Sequence, residues 1–193
     1  AVFNGGFTSN GDTVTFASAN SNDPNIIIKN TTNDANAPIM DFITDKGAAG
    51  ADNDALGLIR FTGDNDAQEQ ITFARVLATV ADASDGAEGG RLQLQVATHD
   101  GEIQTGLLLV DGNAEDEIDV TIGSGTSSNT TIAGDLIVTS GISNASGNLT
   151  IAAASGLILD AAADITLDAA GDDFFFADAG TTMGRIGLEN GDM

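Results

Sequence analysis

The sequence predicts an almost all-β chain, and three observations carry that expectation. Apolar residues come in short bursts bounded by Gly, Asn, Asp and Ser, which is how strands are punctuated by turn formers. Helical spacing at i, i+3, i+4, i+7 is hard to sustain anywhere. Even the best helical window, Asp66 to Val80, also reads as strand alternation through Ile71, Phe73, Val76, Ala78 and Val80. Finally, Leu149-Thr150-Ile151, Leu157-Ile158-Leu159 and Ile165-Thr166-Leu167 begin 8 residues apart, with Phe174-Phe175-Phe176 following after 9.

Taken along the chain, three regions differ in character. Residues 1–54 carry Asn-rich turns, both prolines (Pro24 and Pro38) and one apolar run, Ile26-Ile27-Ile28; they read as an N-terminal β segment. Residues 55–112 hold longer alternating runs, Leu56 to Phe61, Ile71 to Val80, Leu92 to Val96 and Leu107 to Val110, separated by acidic turns such as Asp64-Asn65-Asp66. Residues 113–193 hold Ile118 to Ile122, Leu136 to Val138 and then the short repeat, and read as a β rod. The final stretch, Leu188 to Met193, resembles an unfinished strand and turn, which is what a piece of a longer polypeptide would show.

The repeat explains why a rod is expected. Each unit is one three-residue strand and one tight corner, too small to bury its own apolar face, so units must stack on one another or on other chains. At about 25 cal/mol/Å² such a strand cannot offset roughly 1 to 2 kcal/mol per ordered residue unless one face is covered and its edges are paired. Small residues such as Ala152, Ala162 and Ala169 would permit close approach at corners or between chains.

Composition excludes several function classes. There is no Cys and one His, His99, so neither thiol chemistry nor a multi-histidine metal centre can be built by one chain. Against 6 basic residues stand 29 acidic ones, a formal charge of −23 that repels nucleic acid and anionic membrane faces alike. No stretch reaches the roughly 18 consecutive apolar residues of a membrane span. With 41% hydrophobic residues in regular bursts, disorder is not expected either.

The pattern Leu56-Gly57-x-Ile59-x-Phe61-x-Gly63, Phe73-Ala74-x-Val76-x-Ala78 and Gly90-x-Leu92-x-Leu94-x-Val96-Ala97-Thr98-x-Asp100-Gly101 resembles a module of tail-fibre and other fibrous virion proteins of tailed bacteriophages. Downstream, Gly147-Asn148-Leu149-Thr150-Ile151 and Asp164-Ile165-Thr166-Leu167-Asp168-Ala169-Ala170-Gly171-Asp172, with Gly180-Thr181-Thr182, are similar to repeats in structural proteins of marine phages. This chain departs from the module at Phe73, where a Tyr is usual, and at Leu107 to Gly112, where a Met-Arg-Ile-Asp segment is usual. The resemblance implies an elongated parallel homotrimer of the β-prism or triple β-helix kind, located on the virion. Its implied partners are other virion proteins (tail, baseplate or adaptor) and a host cell surface receptor.

Candidate chemistry is thin. Asp160, Asp164, Asp168 and Asp172 recur every four residues, a pattern that suggests the paired carboxylates of glycoside hydrolysis. Rung corners that cap turns and keep the rod soluble explain them better, since sugar grooves usually want aromatic platforms and there is no Trp or Tyr. Calcium is another reading of the Asp/Gly turns, but neither the nonapeptide roll signature nor the twelve-residue calcium loop is present. His99 reads as a solvated turn residue. Arg60, Arg75 and Arg91, one per long strand, are expected to pair with carboxylates across a strand or a subunit contact. Phe174 to Phe176 suggest packing along a trimer axis first and an interaction surface second, and the sequons at Asn30, Asn129, Asn144 and Asn148 follow from composition alone.

No catalytic, cofactor or metal residue is assigned. The expectation is a non-enzymatic virion fibre acting as a stalk for host attachment, with residues 1–54 as the junction to another virion protein. A polysaccharide-depolymerising tailspike and a trimeric bacterial surface adhesin are the alternatives.

Overall fold

The computed structural model describes residues 9, 11–143, 149–151, 157–165, 173–178 and 181–187. The chain divides into two compact units, Ala1–Asp135 and Leu136–Met193. Among the described residues it is all-β, without a helix.

The first unit is built on one antiparallel meander. Strands β1 (Ala55–Asp64), β2 (Gln70–Asp82), β3 (Gly89–Ala97), β4 (Ile103–Asp111) and β5 (Ile118–Ile122) lie side by side in chain order. The alternation of the sequence becomes a two-faced sheet, because successive side chains of a strand point to opposite sides. Row by row, Ile59, Val76, Leu94, Leu107 and Ile122 lie opposite one another, and so do Gly57, Ala78, Leu92, Leu109 and Val120. These two rows share one face. The rows of the other face are Leu58, Leu77, Gln93, Leu108 and Thr121; Arg60, Arg75, Gln95 and Thr105; and Thr79, Arg91, Val110 and Asp119.

The turns are set by their own polar residues. Between β3 and β4, Gly101 donates to Thr98 O at 2.9 Å and Thr98 to Glu102 O at 2.8 Å, with Gly101 in the left-handed region at φ +84. That is a tight turn followed by a glycine bulge, a conformation in which a side chain at Gly101 would be strained. Between β1 and β2, Asn65 Oδ1 accepts from the backbone N–H groups of Ala67 at 3.0 Å and Glu69 at 2.9 Å, so an Asn side chain closes the loop. Register shifts fall between Phe61 and Thr62, Val80 and Asp82, and Leu94 and Gln95.

The stretch leading into β1 is tied to the sheet at a few points. Thr44 Oγ1 donates to the carbonyls of Ala55 and Leu56, and Phe42 packs so closely over Gly57 that an added Cβ would stand 3.0 Å from Phe42 Cβ. Over residues 11–54 there is no strand, so Ile26 to Ile28 do not form the one their composition suggests, and Ile27 is 75% exposed. A three-residue apolar run gains nothing from an extended conformation without a neighbouring edge to bond.

In the second unit, β6 (Asp173–Asp178) pairs antiparallel with β7 (Thr181–Gly187), with Phe175 opposite Arg185 in the ladder. The described parts of the short repeat, Leu149 to Ile151 and Leu157 to Ile165, carry no strand, and neither does Leu136 to Val138. Their apolar side chains are exposed, Ile158 to 87%. This follows from the same physics that predicts stacking: among the described residues nothing offers these units cover or a paired edge.

No apolar side chain among the described residues is buried. Within the sheet the least exposed are Thr79, Gly89 and Gln95. A meander one layer thick has no inside, and among the described residues its apolar face is met by Phe42 at the β1 corner and bordered by Ser128 to Thr130 beside Val96 and Ile122.

Candidate functional site

The apolar face of the sheet is the most distinctive surface of the molecule. Its two complete rows hold ten residues, none of them charged or polar. Leu92, Leu94, Ile59, Val120 and Ile122 are all substantially exposed, Leu94 to 43%. At the β1 corner, Phe42, Leu56, Ile59, Val76, Ala78 and Leu92 enclose a shallow apolar recess. A contiguous uncharged patch on a chain of charge −23 marks a place where another apolar surface is expected to sit.

The opposite face mixes Leu58, Leu77, Leu108 and Val110 with polar side chains that are bonded to one another. Arg75 donates its Nε–H to Gln95 Oε1. Gln95 Nε2 donates to Thr105 Oγ1 at 2.9 Å, and Gln93 Nε2 reaches the same hydroxyl at 3.1 Å. Gln95 is only 7% exposed, so this ladder fixes the Arg75 side chain in place. Arg91 donates from a terminal guanidinium nitrogen to Asn53 Oδ1 at 3.1 Å. Thr79 Oγ1, at 9% exposure, is buried with no partner among the described residues.

Within one chain, the described arginines do not form the cross-strand carboxylate pairs that are one of the two contacts expected from the sequence. Among the described residues none pairs with a carboxylate: Arg75 and Arg91 use side-chain amides, and Arg60 lies directly opposite Arg75 in the β1–β2 register. The sole ion pair among those residues is Lys46 Nζ to Asp54 Oδ2 at 2.7 Å. For Arg75 an amide wins over a carboxylate because Gln95 is its neighbour in the row of Arg60, Arg75, Gln95 and Thr105, which holds no acid, while Arg91 reaches Asn53 although Asp119 stands two strands away in its own row.

Other candidates are dispersed. His99 sits exposed in the β3–β4 turn beside Asp100, whose carboxyl is held below its ordinary range chiefly by the Thr98 hydroxyl. Asp160 and Asp164 are exposed, while Asp168 and Asp172 lie outside the described residues, as do Ala152 and Ala169. Asn30 is engaged in its own loop, accepting from Thr32 N–H at 2.8 Å and donating to Asn36 O at 2.9 Å. Asn129 is exposed, and Asn144 and Asn148 are outside the described residues. Phe174 to Phe176 form part of β6. Among the described residues, no three acidic or histidine side chains converge as a metal site would require.

The Gln-Thr ladder is the feature that sequence reasoning missed. Its signal is the alternation Leu92-Gln93-Leu94-Gln95-Val96, in which amides rather than charges take every second position. Such residues suit a face whose side chains bond one another along a row. No family model, curated protein or solved structure matches this chain.

Proposed function

We propose that the chain is a non-enzymatic structural component of a bacteriophage virion, a tail fibre or related fibre in which three parallel copies form a rigid stalk for host attachment. The observation that carries the self-association is the apolar sheet face: ten positions in two rows, none charged, with Ile59, Leu92, Leu94, Val120 and Ile122 exposed. A chain so rich in exposed apolar surface gains most by covering it with further copies, whose matching rows are equally free of charge.

The virion assignment rests on the resemblance of residues 55 to 190 to fibrous phage proteins. In this reading, residues 1–54 meet another virion protein, and host avidity comes from several tips carried on one stalk. The parallel trimer, with the short repeats as its prism or triple β-helix, gives Leu149 to Ile151 and Leu157 to Leu159 the cover that no described residue supplies in one chain; Thr166 and Leu167 of the third unit lie outside the described residues.

Light scattering of the purified chain tests the assembly. The expected mass is about 58 kDa, three times 19.4 kDa, and a stable 19.4 kDa species overturns the trimer. Antibodies raised against the chain and imaged on particles test the location, with label on an external fibre expected and label on a bacterial surface in its place favouring an adhesin. Release of new reducing ends from host polysaccharide would overturn the non-enzymatic reading in favour of a tailspike.

A further inference from the structure

Among the described residues, both outer edges of the five-stranded sheet are open. Beyond the Thr44 contacts to Ala55 and Leu56, no backbone partner among the described residues meets the outer side of β1 or of β5. Open edges are templates for pairing with another chain. Four successive antiparallel pairings mean that β1 and β5 run in the same direction. Copies related by rotation about an axis along the strands therefore bring β5 of one beside β1 of the next in parallel. That contact is heterologous, and a one-third rotation closes it into a ring of three.

The charges on these two edge strands are complementary. Arg60 is the one cation of β1, and Asp119 is the one charged residue of β5. Both belong to rows of the same sheet face. Within its own chain Arg60 faces Arg75 across the ladder, an arrangement that is unfavourable unless an anion lies beside the pair. The Arg75 Nε is already committed to Gln95, which leaves its terminal nitrogens for such a group. Continuing the sheet from β1 to a second β5 also keeps the pattern in phase. Ile59 on one side and Val120 and Ile122 on the other extend a single apolar face.

We infer that β5 of a second copy adds to the outer edge of β1, and that Asp119 from that copy supplies the carboxylate for Arg60 and Arg75. The inference rests on the self-association proposed above and names its geometry: edge to edge, head to tail, parallel.

Charge reversal and a zero-length cross-link test it. Arg60→Asp and Asp119→Arg are each expected to weaken the oligomer about tenfold by light scattering over a dilution series, and the double variant R60D/D119R to recover most of the loss. In R60K, which keeps the charge and adds an amine, carbodiimide is expected to link position 60 to Asp119 between chains, identified by peptide mass. This second arm needs no disruptive variant. A wild-type trimer that neither reversal weakens, or R60K cross-links that never include Asp119, overturns the edge pairing and leaves the fibre reading intact. A wild-type chain that stays a 19.4 kDa monomer overturns the fibre reading itself.

Discussion

Gln95 donates through Nε2 to the hydroxyl of Thr105 at 2.9 Å while its Oε1 receives the Nε–H of Arg75. One buried amide thus joins three strands, and Gln93 Nε2 bonds the same hydroxyl at 3.1 Å. Replacing Thr105 with Val preserves shape and removes the acceptor shared by both amides. Two part-buried donors are then left without it, so Thr105→Val is expected to cost about 1 to 3 kcal/mol. Urea denaturation should show a lower midpoint with an unchanged slope. Gln93→Leu, which removes one of the two donors, should cost less.

Gly57 is read most directly through Phe42. An added Cβ at position 57 would meet Phe42 Cβ at 3.0 Å and Cγ at 3.2 Å, tighter than a comfortable contact. Elsewhere in a strand, exchanging Gly for Ala restores some of the stability that Gly forfeits, on the order of 0.5 to 1 kcal/mol. The sign of Gly57→Ala should therefore depend on its neighbour. It is expected to destabilise the native chain and to be neutral or stabilising in a Phe42→Ala background. Thermal melts of the four chains of that cycle measure the coupling, and equal effects in both backgrounds would show that Phe42 does not press on the sheet.

Acid should act on the turns and on assembly in opposite directions. The Asp54 carboxyl is held below its ordinary 3.8 mainly by the Lys46 ammonium and then by the Ala51 N–H. Asp82 is lowered by Ser84, and Asp100 by the Thr98 hydroxyl. A depressed folded value contributes stability that is complete above the unfolded value and lost as pH falls through the depressed one. These turn contributions are thus intact at pH 7 and disappear below 3.8. Between neutrality and the isoelectric point near 4.1, the charge of −23 shrinks and repulsion between copies falls. Association is expected to tighten as pH drops toward 4.1, and the melting temperature to fall below it. Light scattering and melts on one pH series check both limbs, and Asp82→Asn should flatten the acid limb.

What was legible in the sequence is the part whose strands satisfy one another locally. Ile59, Val76, Leu94 and Leu107 alternate strictly and are joined by short Asn, Asp and Gly turns, so β1 to β5 could be read from residues 55 to 122. The bulge beside Phe61 and the one beside Leu94 could not, because register depends on where the twisted partner strand ends up. The strand Thr181–Gly187 was overlooked because its apolar residues are only Met183 and Ile186, with Gly184 between them. Strands at Ile26, Leu149 and Leu157 were expected and are not formed, since alternation reports what a segment could bury and not whether a partner is at hand. The arginines show the same limit: composition supplied acids in plenty, but Gln95 was the neighbour in space.

Leu94 offers the sharpest separation of folding from assembly. It lies mid-row on the apolar face, between Val76 and Leu107, and is 43% exposed in the single chain. A Lys there can lay its methylene stem along the sheet and keep its ammonium in water, so Leu94→Lys should leave the monomeric fold in place. In an assembly that covers this face, the same ammonium would be buried without a partner, at a cost of several kcal/mol. The expected result is a mass near 19.4 kDa in place of the trimer, with an unchanged far-ultraviolet circular dichroism spectrum in the strand region. Ala87→Lys, in the exposed turn between β2 and β3, serves as the control and should leave the mass unchanged. If the Leu94 variant kept the trimer mass, the apolar rows would lie outside the contact between copies. The edge pairing of β1 with β5 and the covering of the repeats would then have to hold the fibre together.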